Sequence, residues 1–73
     1  MAKNKDIMKL KGTVIKCLPG AKFIVKADEV EVTSTCSLSG KLRQNKITIV
    51  ENDKVDFEIS VYDLTIGRIV WRY

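Results

Sequence analysis

The sequence contains no histidine, only two cysteines and one proline, and no long apolar run. Without histidine, the commonest general base and the commonest metal ligand of proteins are both missing. A membrane-spanning helix needs about 20 consecutive apolar residues, and no segment approaches that length. No apolar stretch follows the charged N-terminus, so we expect neither a secretory signal nor a membrane partner. We expect the protein to stay in the compartment where it is made.

The two cysteines, Cys17 and Cys36, have eighteen residues between them, a spacing that matches no zinc motif. Each lies in a β-type segment, and a free cysteine behaves mostly as a small hydrophobic residue. We therefore expect two buried, reduced thiols, with a single disulfide or a redox pair as the alternatives. Reduced thiols fit a reducing cytosol.

Sequence motifs for catalysis are also missing. The chain has no glycine-rich phosphate loop and no nucleophile elbow. Asp56 and Glu58 fall on one face of a predicted strand, but strand alternation alone accounts for that placement. We expect a protein that is not an enzyme and that uses no cofactor and no metal.

Alternation of apolar and polar residues with a period of two is the dominant pattern. It is clearest in residues 54–61, whose odd-numbered positions are all apolar. Further strands are predicted over residues 9–18, 23–27, 30–34 and 68–73. Residues 62–67 are predicted to form a loop in which Gly67 supplies conformational freedom.

One segment breaks this alternation. Ser39 can cap a helix and Asn45 can end it, and good helix formers lie between them. Three strands, a short helix and two more strands predict an all-β OB-fold, a five-stranded Greek-key barrel with the helix between strands 3 and 4. An SH3-like barrel is the structural alternative. We expect a flexible basic arm over residues 1–6 and a single OB-fold domain over residues 7–73.

Charge is unevenly distributed along the chain, whose net charge is +4. Residues 1–26 contain seven lysines and one acid, and residues 41–46 contain three cations and no acid. Residues 47–63 contain five acids and one lysine. Such segregation predicts a basic face, which is typical of proteins that bind phosphate-rich partners. A solvated basic surface without a partner is the alternative.

The short helix and the residue after it carry the densest group of candidate RNA-binding side chains. Lys41, Arg43 and Lys46 cluster there, and Asn45 adds a polar amide. Contacts from such cations to phosphates supply most of the affinity for RNA and specify no base sequence.

The last predicted strand adds two arginines. Arg68 and Arg72 alternate with Ile69 and Trp71, which predicts arginines that point outwards and a tryptophan that points into the core. A binder of single strands usually presents several exposed aromatic residues on adjacent strands, and the sequence predicts no such array. This favours recognition of folded RNA by its shape and phosphate geometry.

The order of several short segments resembles the translation initiation factor 1 family over most of the chain. The segments are Met1-Ala2-Lys3, Gly12-Thr13-Val14, Leu18-Pro19, Phe23-Ile24-Val25, Ser39-Gly40-Lys41-Leu42-Arg43, Asn45, Asp53-Lys54-Val55, Tyr62-Asp63-Leu64 and Gly67-Arg68-Ile69-Val70. Compared with the family pattern, a histidine is missing before Ser39, and Gln44 and Thr48 stand where basic residues are common. These changes thin the basic patch and suggest that the lysine-rich first strand compensates.

The resemblance implies a function in bacterial translation. It implies binding at the decoding (A) site of the small ribosomal subunit, with contacts to rRNA and to a neighbouring ribosomal protein, alongside the other two initiation factors. The residues that it implies for rRNA contact are Lys41, Arg43, Asn45, Lys46, Arg68 and Arg72. We expect a monomer located in the cytoplasm or, as an alternative, in the plastid stroma.

Two other functions remain open from the sequence. One is a general RNA chaperone of the cold-shock type, which shares the barrel but stacks unpaired bases on exposed aromatic residues. The other is an adaptor whose basic face meets an acidic protein, which would present a sizeable exposed apolar patch.

Overall fold

The computed structural model describes residues 6–73 and shows five strands and one short helix. The elements are β1 (Ile7–Leu18), β2 (Lys22–Ala27), β3 (Thr33–Leu38), α1 (Gly40–Gln44), β4 (Lys54–Ser60) and β5 (Asp63–Arg72). The strands close into a barrel in the order β1-β2-β3-β5-β4. The predicted all-β OB-fold with a helix between the third and fourth strands is confirmed.

The predicted basic arm covers residues 1–6, and of these only Asp6 is among the described residues. The carbonyl oxygen of Asp6 accepts a hydrogen bond from the backbone N–H of Val61 at 3.0 Å. The bond ties the chain just before β1 to the turn after β4.

Closure of the barrel depends on two pairings that join distant parts of the chain. β1 is long enough to pair antiparallel with β4 through residues 7–13 and with β2 through residues 12–18. β3 and β5 pair in parallel, from Thr35 opposite Ile66 to Leu38 opposite Ile69. The parallel pair places the end of β5 beside the start of α1, because the backbone N–H of Ser39 donates to the Ile69 carbonyl at 2.9 Å.

The barrel encloses one apolar core, to which every strand and the helix contribute. Its buried members are Val14, Phe23, Val25, Ala27, Cys36, Leu42, Ile49, Val55, Phe57, Ile59 and Ile69. Phe57 and Ile69 are completely buried, and Leu42 extends the core beneath the helix. The alternation predicted for residues 54–61 holds up to Ile59, whereas Val61 lies beyond the end of β4 and is exposed.

Gly12 lies where β1 meets both of its partner strands, opposite Ala27 and Val55. A Cβ atom built at this glycine would lie 2.6 Å from the Lys26 carbonyl oxygen and 2.7 Å from a ring carbon of Phe57. The two strands can therefore approach β1 this closely only because residue 12 has no side chain.

Two strands, β3 and β5, differ most from their predicted extents, whereas the bounds of the other three shift by one or two residues. β3 begins at Thr33 rather than at residue 30, and Val30 lies exposed in the bend before it. β5 begins at Asp63, so the loop predicted for residues 62–67 is wrong and most of it is strand. Gly67 is needed for close packing rather than for a special backbone angle, since a Cβ there would lie 2.7 Å from the Glu58 carbonyl oxygen.

The prediction of two buried thiols holds for one cysteine only. Cys36 is fully buried, and its burial raises the pKa of the thiol to about 12. Cys17 is exposed because it lies one residue from the end of β1, and its Sγ lies 3.7 Å from the Ile49 carbonyl oxygen. Both cysteines are free.

Replacing Gly12 by alanine should destabilise the barrel, because the added methyl group meets backbone and ring atoms that cannot move independently. We expect Gly12→Ala to lower the unfolding free energy by about 1–3 kcal/mol, as overpacking usually does. Gly40→Ala is the matched control, since nothing lies within 4 Å of a Cβ there. Thermal unfolding followed by circular dichroism compares the two variants, and equal melting temperatures would contradict this view of Gly12.

Candidate nucleic-acid interface

The helix α1 is fixed at both ends, so the directions of its side chains are defined. The Ser39 hydroxyl accepts a hydrogen bond from the Leu42 N–H at 3.3 Å and caps the first turn. Leu42 is buried and anchors the helix to the barrel. Because Leu42 points inwards, Lys41 and Arg43 on either side of it are exposed.

The helix ends in a turn that exposes two further predicted RNA contacts. Asn45 donates its backbone N–H to the Lys41 carbonyl at 3.1 Å, and the Ile47 N–H returns to the Leu42 carbonyl at 3.1 Å. Lys46 lies between them with φ of 55°. This is a left-handed helix terminus of the type that glycine usually occupies. The side chains of Asn45 and Lys46 are both exposed.

A cavity of about 150 Å³ lies between α1 and the end of β5. Leu42, Ile47 and Val70 provide its apolar lining. Its polar and aromatic lining consists of Lys41, Asn45, Trp71 and Arg72. The structure thus brings three of the six predicted site residues together around one concave surface.

Arg72 is held at this surface by a carboxylate. Its Nε donates to Asp53 Oδ2 at 3.1 Å, and the same oxygen accepts the Val50 backbone N–H at 3.0 Å. The Val50 N–H and then the Arg72 guanidinium hold the pKa of the Asp53 carboxyl below its usual range. Within residues 6–73, Arg72 forms a side-chain hydrogen bond through its Nε alone. Its two terminal nitrogens can therefore donate to an incoming phosphate.

Arg68 lies elsewhere on the barrel. Its terminal nitrogen is 3.4 Å from a Glu58 carboxylate oxygen, and it shares a shallow hollow with Ile7, Lys9 and Glu58. It also lies opposite Ser37 of β3. Arg68 is therefore exposed as predicted, but it lies away from the exposed side chains of Lys41, Arg43, Asn45 and Lys46, which we call the α1 group.

The cations of the α1 group differ from the arginines of β5 in their partners. Over residues 6–73, the ion pairs are Lys54–Asp28, Arg68–Glu58 and Arg72–Asp53. Lys41, Arg43 and Lys46 take part in none of them. Their charge is not compensated locally, so this end of the barrel attracts anions.

Within residues 6–73 there is no cluster of three or more side chains suited to a metal ion. That part of the chain also contains no helix with the length and apolar character that crossing a membrane requires.

The chain matches no protein-family model. The fold is similar to the solution structure of translation initiation factor 1 from the Wolbachia endosymbiont, strain TRS, of Brugia malayi, with a TM-score of 0.75. The two sequences are 41% identical over 97% of this chain and 83% of that one. This chain belongs to the translation initiation factor 1 family. It is a translation initiation factor, as the resemblance of its sequence segments predicted.

Two further solved structures share the fold of this initiation factor. YjeQ from Thermotoga maritima matches 90% of the chain with a TM-score of 0.71 and 21% identity. YloQ, a circularly permuted GTPase, matches all of it with a TM-score of 0.75 and 19% identity. The chain covers only 23% and 25% of those proteins, so the similarity is limited to the barrel. It gives no evidence of GTPase activity in this factor.

Trp71 is the site residue that reasoning from the sequence placed wrongly. Ile69 is fully buried, yet Trp71 is 54% exposed. The pairing shifts here, since Phe57 lies opposite Ile69 and Asp56 lies opposite Trp71, which leaves Val70 as an extra residue. This bulge reverses the alternation after Ile69 and turns the indole outwards. Nothing in the sequence pattern marks the bulge.

Tyr73 follows Trp71 on the exposed side of the initiation factor. Its hydroxyl donates to the Asp56 carboxylate at 2.8 Å, which raises the pKa of the phenol. The Lys11 ammonium lies 5.1 Å from the ring centre, a distance typical of a cation–π contact. These contacts fix the C-terminal residue against β1 and β4.

Lys46 combines a strained backbone with an exposed cation, which suggests that its side chain is kept for binding. A non-glycine residue in the left-handed region costs about 1–2 kcal/mol. We expect Lys46→Gly to raise the unfolding free energy by about 1 kcal/mol, because glycine takes this conformation freely.

Lys46→Gln is the matched control, because it removes the charge and keeps the strain, and its stability should equal that of the wild type. Urea unfolding of the wild type, Lys46→Gly and Lys46→Gln measures the three unfolding free energies. A Lys46→Gly variant no more stable than Lys46→Gln would contradict the assignment of strain.

Proposed function

We propose that this initiation factor binds rRNA at the decoding (A) site of the small ribosomal subunit. The observation that carries the proposal is the uncompensated group Lys41, Arg43 and Lys46 beside the cavity that Arg72 and Trp71 line. Cations held on a rigid protrusion can neutralise phosphates that converge in folded RNA. The barrel itself would occlude the site.

The proposed assembly includes protein partners. The factor would bind next to a ribosomal protein and assist formation of the initiation complex with the other two initiation factors. It would act as a monomer in the cytoplasm, or in the plastid stroma. Family membership supports this assignment.

A second candidate is a single-stranded RNA chaperone, and one observation favours it. Trp71 and Tyr73 are both more than half exposed, and Trp71 stands beside Lys41 and Arg72. Exposed aromatic rings next to cations can stack unpaired bases without sequence preference. This function would give comparable affinity for the ribosomal subunit and for unstructured RNA.

Removing the two helix cations should weaken binding without unfolding the barrel. We expect Lys41→Ala combined with Arg43→Ala to weaken binding to purified bacterial small subunits by about tenfold or more at moderate salt. The slope of log affinity against log salt should also become shallower, because fewer counterions are released.

The control for this experiment combines Lys54→Ala with Lys9→Ala. Both lysines are exposed, and Lys54 is paired with Asp28. Both variants lose two charges. Equal loss of affinity in the two would show that only net charge matters, and a large drop in melting temperature of the helix variant would show that the cations are structural.

The Asp53 carboxylate beside Arg72 provides a further test, because two explanations predict opposite changes in RNA affinity when it is neutralised. Asp53→Asn removes a negative charge, which by simple electrostatics should strengthen RNA binding. If Asp53 positions Arg72 for phosphate contact, the variant should instead bind small subunits several-fold more weakly.

Glu58→Gln is the matched control, since Glu58 engages a terminal nitrogen of Arg68 and so competes with a phosphate. We expect it to leave affinity unchanged or to increase it. A similar increase in small-subunit affinity for Asp53→Asn and Glu58→Gln would contradict a positioning role for Asp53.

A further inference from the structure

The two ends of the barrel differ in how they are covered. The helix α1 lies at one end, where Leu42 and Ile49 are buried in the core. The opposite end is formed by the start of β1, the bend of residues 28–31 and the turn of residues 61–62. Among residues 6–73 no helix covers this opposite end, which we call the open end.

Two hydrogen bonds bring the segments of the open end together. The Val61 N–H donates to the Asp6 carbonyl at 3.0 Å, which joins the turn to the start of β1. The Ser34 hydroxyl donates to the Leu64 carbonyl oxygen. This second bond places the start of β3 beside the start of β5, so the bend that precedes β3 lies at the same end of the barrel as the turn that precedes β5.

Apolar side chains are exposed at the open end. Four of them are each 40–45% exposed, namely Met8, Val30, Val61 and Leu64. Val30 also borders a hollow of about 260 Å³, whose apolar lining is completed by Ala27 and the partly buried Leu10. Several apolar side chains that meet water around one end of a barrel are typical of a docking site for another protein.

The charged residues at the segments of the open end are mostly acidic. The acids there are Asp6, Asp28, Glu29, Glu31 and Asp63. Within residues 6–73 only Asp28 of this group forms an ion pair, with Lys54. The bend of residues 28–31 contains three of these acids and no cation, and Glu29 and Glu31 are both exposed.

Two lysines of β1 border the same hollow as Val30, but both have other neighbours. The Lys11 ammonium lies over the Tyr73 ring, 5.1 Å from its centre. Lys9 shares a second hollow with Glu58. The bend of residues 28–31 therefore repels phosphates and attracts cations, whereas the α1 group attracts anions.

We infer that the open end is a protein-docking surface, which binds a basic segment of a partner protein that carries apolar side chains among its cations. The apolar side chains of the segment cover those of the open end, and its cations lie beside Glu29 and Glu31. Apolar contact supplies affinity, and the complementary charge selects a basic partner. The inference rests on the proposed function in that the partner is a protein of the small-subunit assembly.

Charge distinguishes this partner from two other occupants of the open end. An RNA strand would bring phosphates next to the acids of residues 28–31, so repulsion opposes it. A second copy of the chain that docked through its own open end would bring two acidic bends together, which is equally unfavourable. A second copy that docked through its α1 group would make a head-to-tail contact, which extends into longer assemblies. Light scattering that showed such growth with protein concentration would overturn the inference.

The first test neutralises the bend with a double variant, Glu29→Gln and Glu31→Gln. Its matched control is Glu51→Gln with Asp56→Asn, which removes the same charge from residues outside the open end. After circular dichroism has shown that both variants fold, each is titrated onto purified bacterial small subunits and onto small-subunit rRNA freed of protein.

The two targets should respond to this variant with opposite signs. We expect the bend variant to bind small subunits about fivefold more weakly than the control variant, as the loss of two exposed ion pairs predicts. On free rRNA it should bind at least as tightly as the wild type, because removal of negative charge favours phosphate binding. Small-subunit affinity equal to or above that of the control, or an equal loss on free rRNA, would overturn the inference.

A second test removes an apolar contact without changing the charge. Val30→Ser is compared with Val50→Ser, since Val50 is exposed to a similar extent, 51%, but lies in the loop before β4. We expect Val30→Ser to bind small subunits about fivefold more weakly than Val50→Ser, because the serine loses apolar area that the partner would bury. Equal affinities of the two variants would overturn the inference.

Failure of the proposed function gives a different result. If the wild-type protein does not saturate small subunits, that function fails, and the open end is then tested with a short helical peptide of leucine and lysine. A second peptide has glutamate in place of every lysine. Tighter binding of the lysine peptide, lost in the bend variant and kept in the Lys41→Ala, Arg43→Ala variant, would support the docking surface. Equal binding of the two peptides, or a bend variant that binds the lysine peptide like the wild type, would overturn it.

Discussion

The parallel pairing of β3 with β5 is the constraint on which the candidate interface depends. It closes the barrel, and the Ser39–Ile69 backbone hydrogen bond at its end sets α1 against β5. Helix residues and the C-terminal strand are therefore neighbours although Ser39 and Ile69 are 30 positions apart in the chain. Without this pairing, Lys41 and Arg72 would have no common cavity. The close approach of strands at Gly12 and Gly67 belongs to the same closure, since side chains there would push the strands apart.

Carboxylates divide the cations of the barrel into two kinds. The cations of the α1 group and the lysines of β1 and β2 have no acidic partner among residues 6–73, whereas Lys54, Arg68 and Arg72 each have one. Asp53 accepts a hydrogen bond from the Nε of Arg72, whereas Glu58 accepts one from a terminal nitrogen of Arg68. An exposed ion pair adds little stability, about 0–1 kcal/mol. These acids therefore matter more for where the arginine side chains lie than for the stability of the fold.

Much of the fold followed from local sequence, and the failures have physical causes. Ser39 and Asn45 marked the helix because capping depends on a few adjacent residues, and the order of elements was enough to predict the OB-fold. Trp71 was misplaced because the bulge at Val70 arises from pairing with β4, which no local pattern records. The cavity could not be predicted either, since it forms only when the barrel closes.

The most direct test of this account is the binding of fluorescently labelled wild-type protein to purified bacterial small subunits, compared with an unstructured RNA oligomer at matched salt. The account holds that a fixed arrangement of cations contacts phosphates that converge only in folded RNA. It therefore predicts saturable one-to-one binding to the subunit and little binding to the oligomer. Comparable binding to both would contradict the account, and it would leave family membership describing the fold while the exposed Trp71 and Tyr73 would explain the activity.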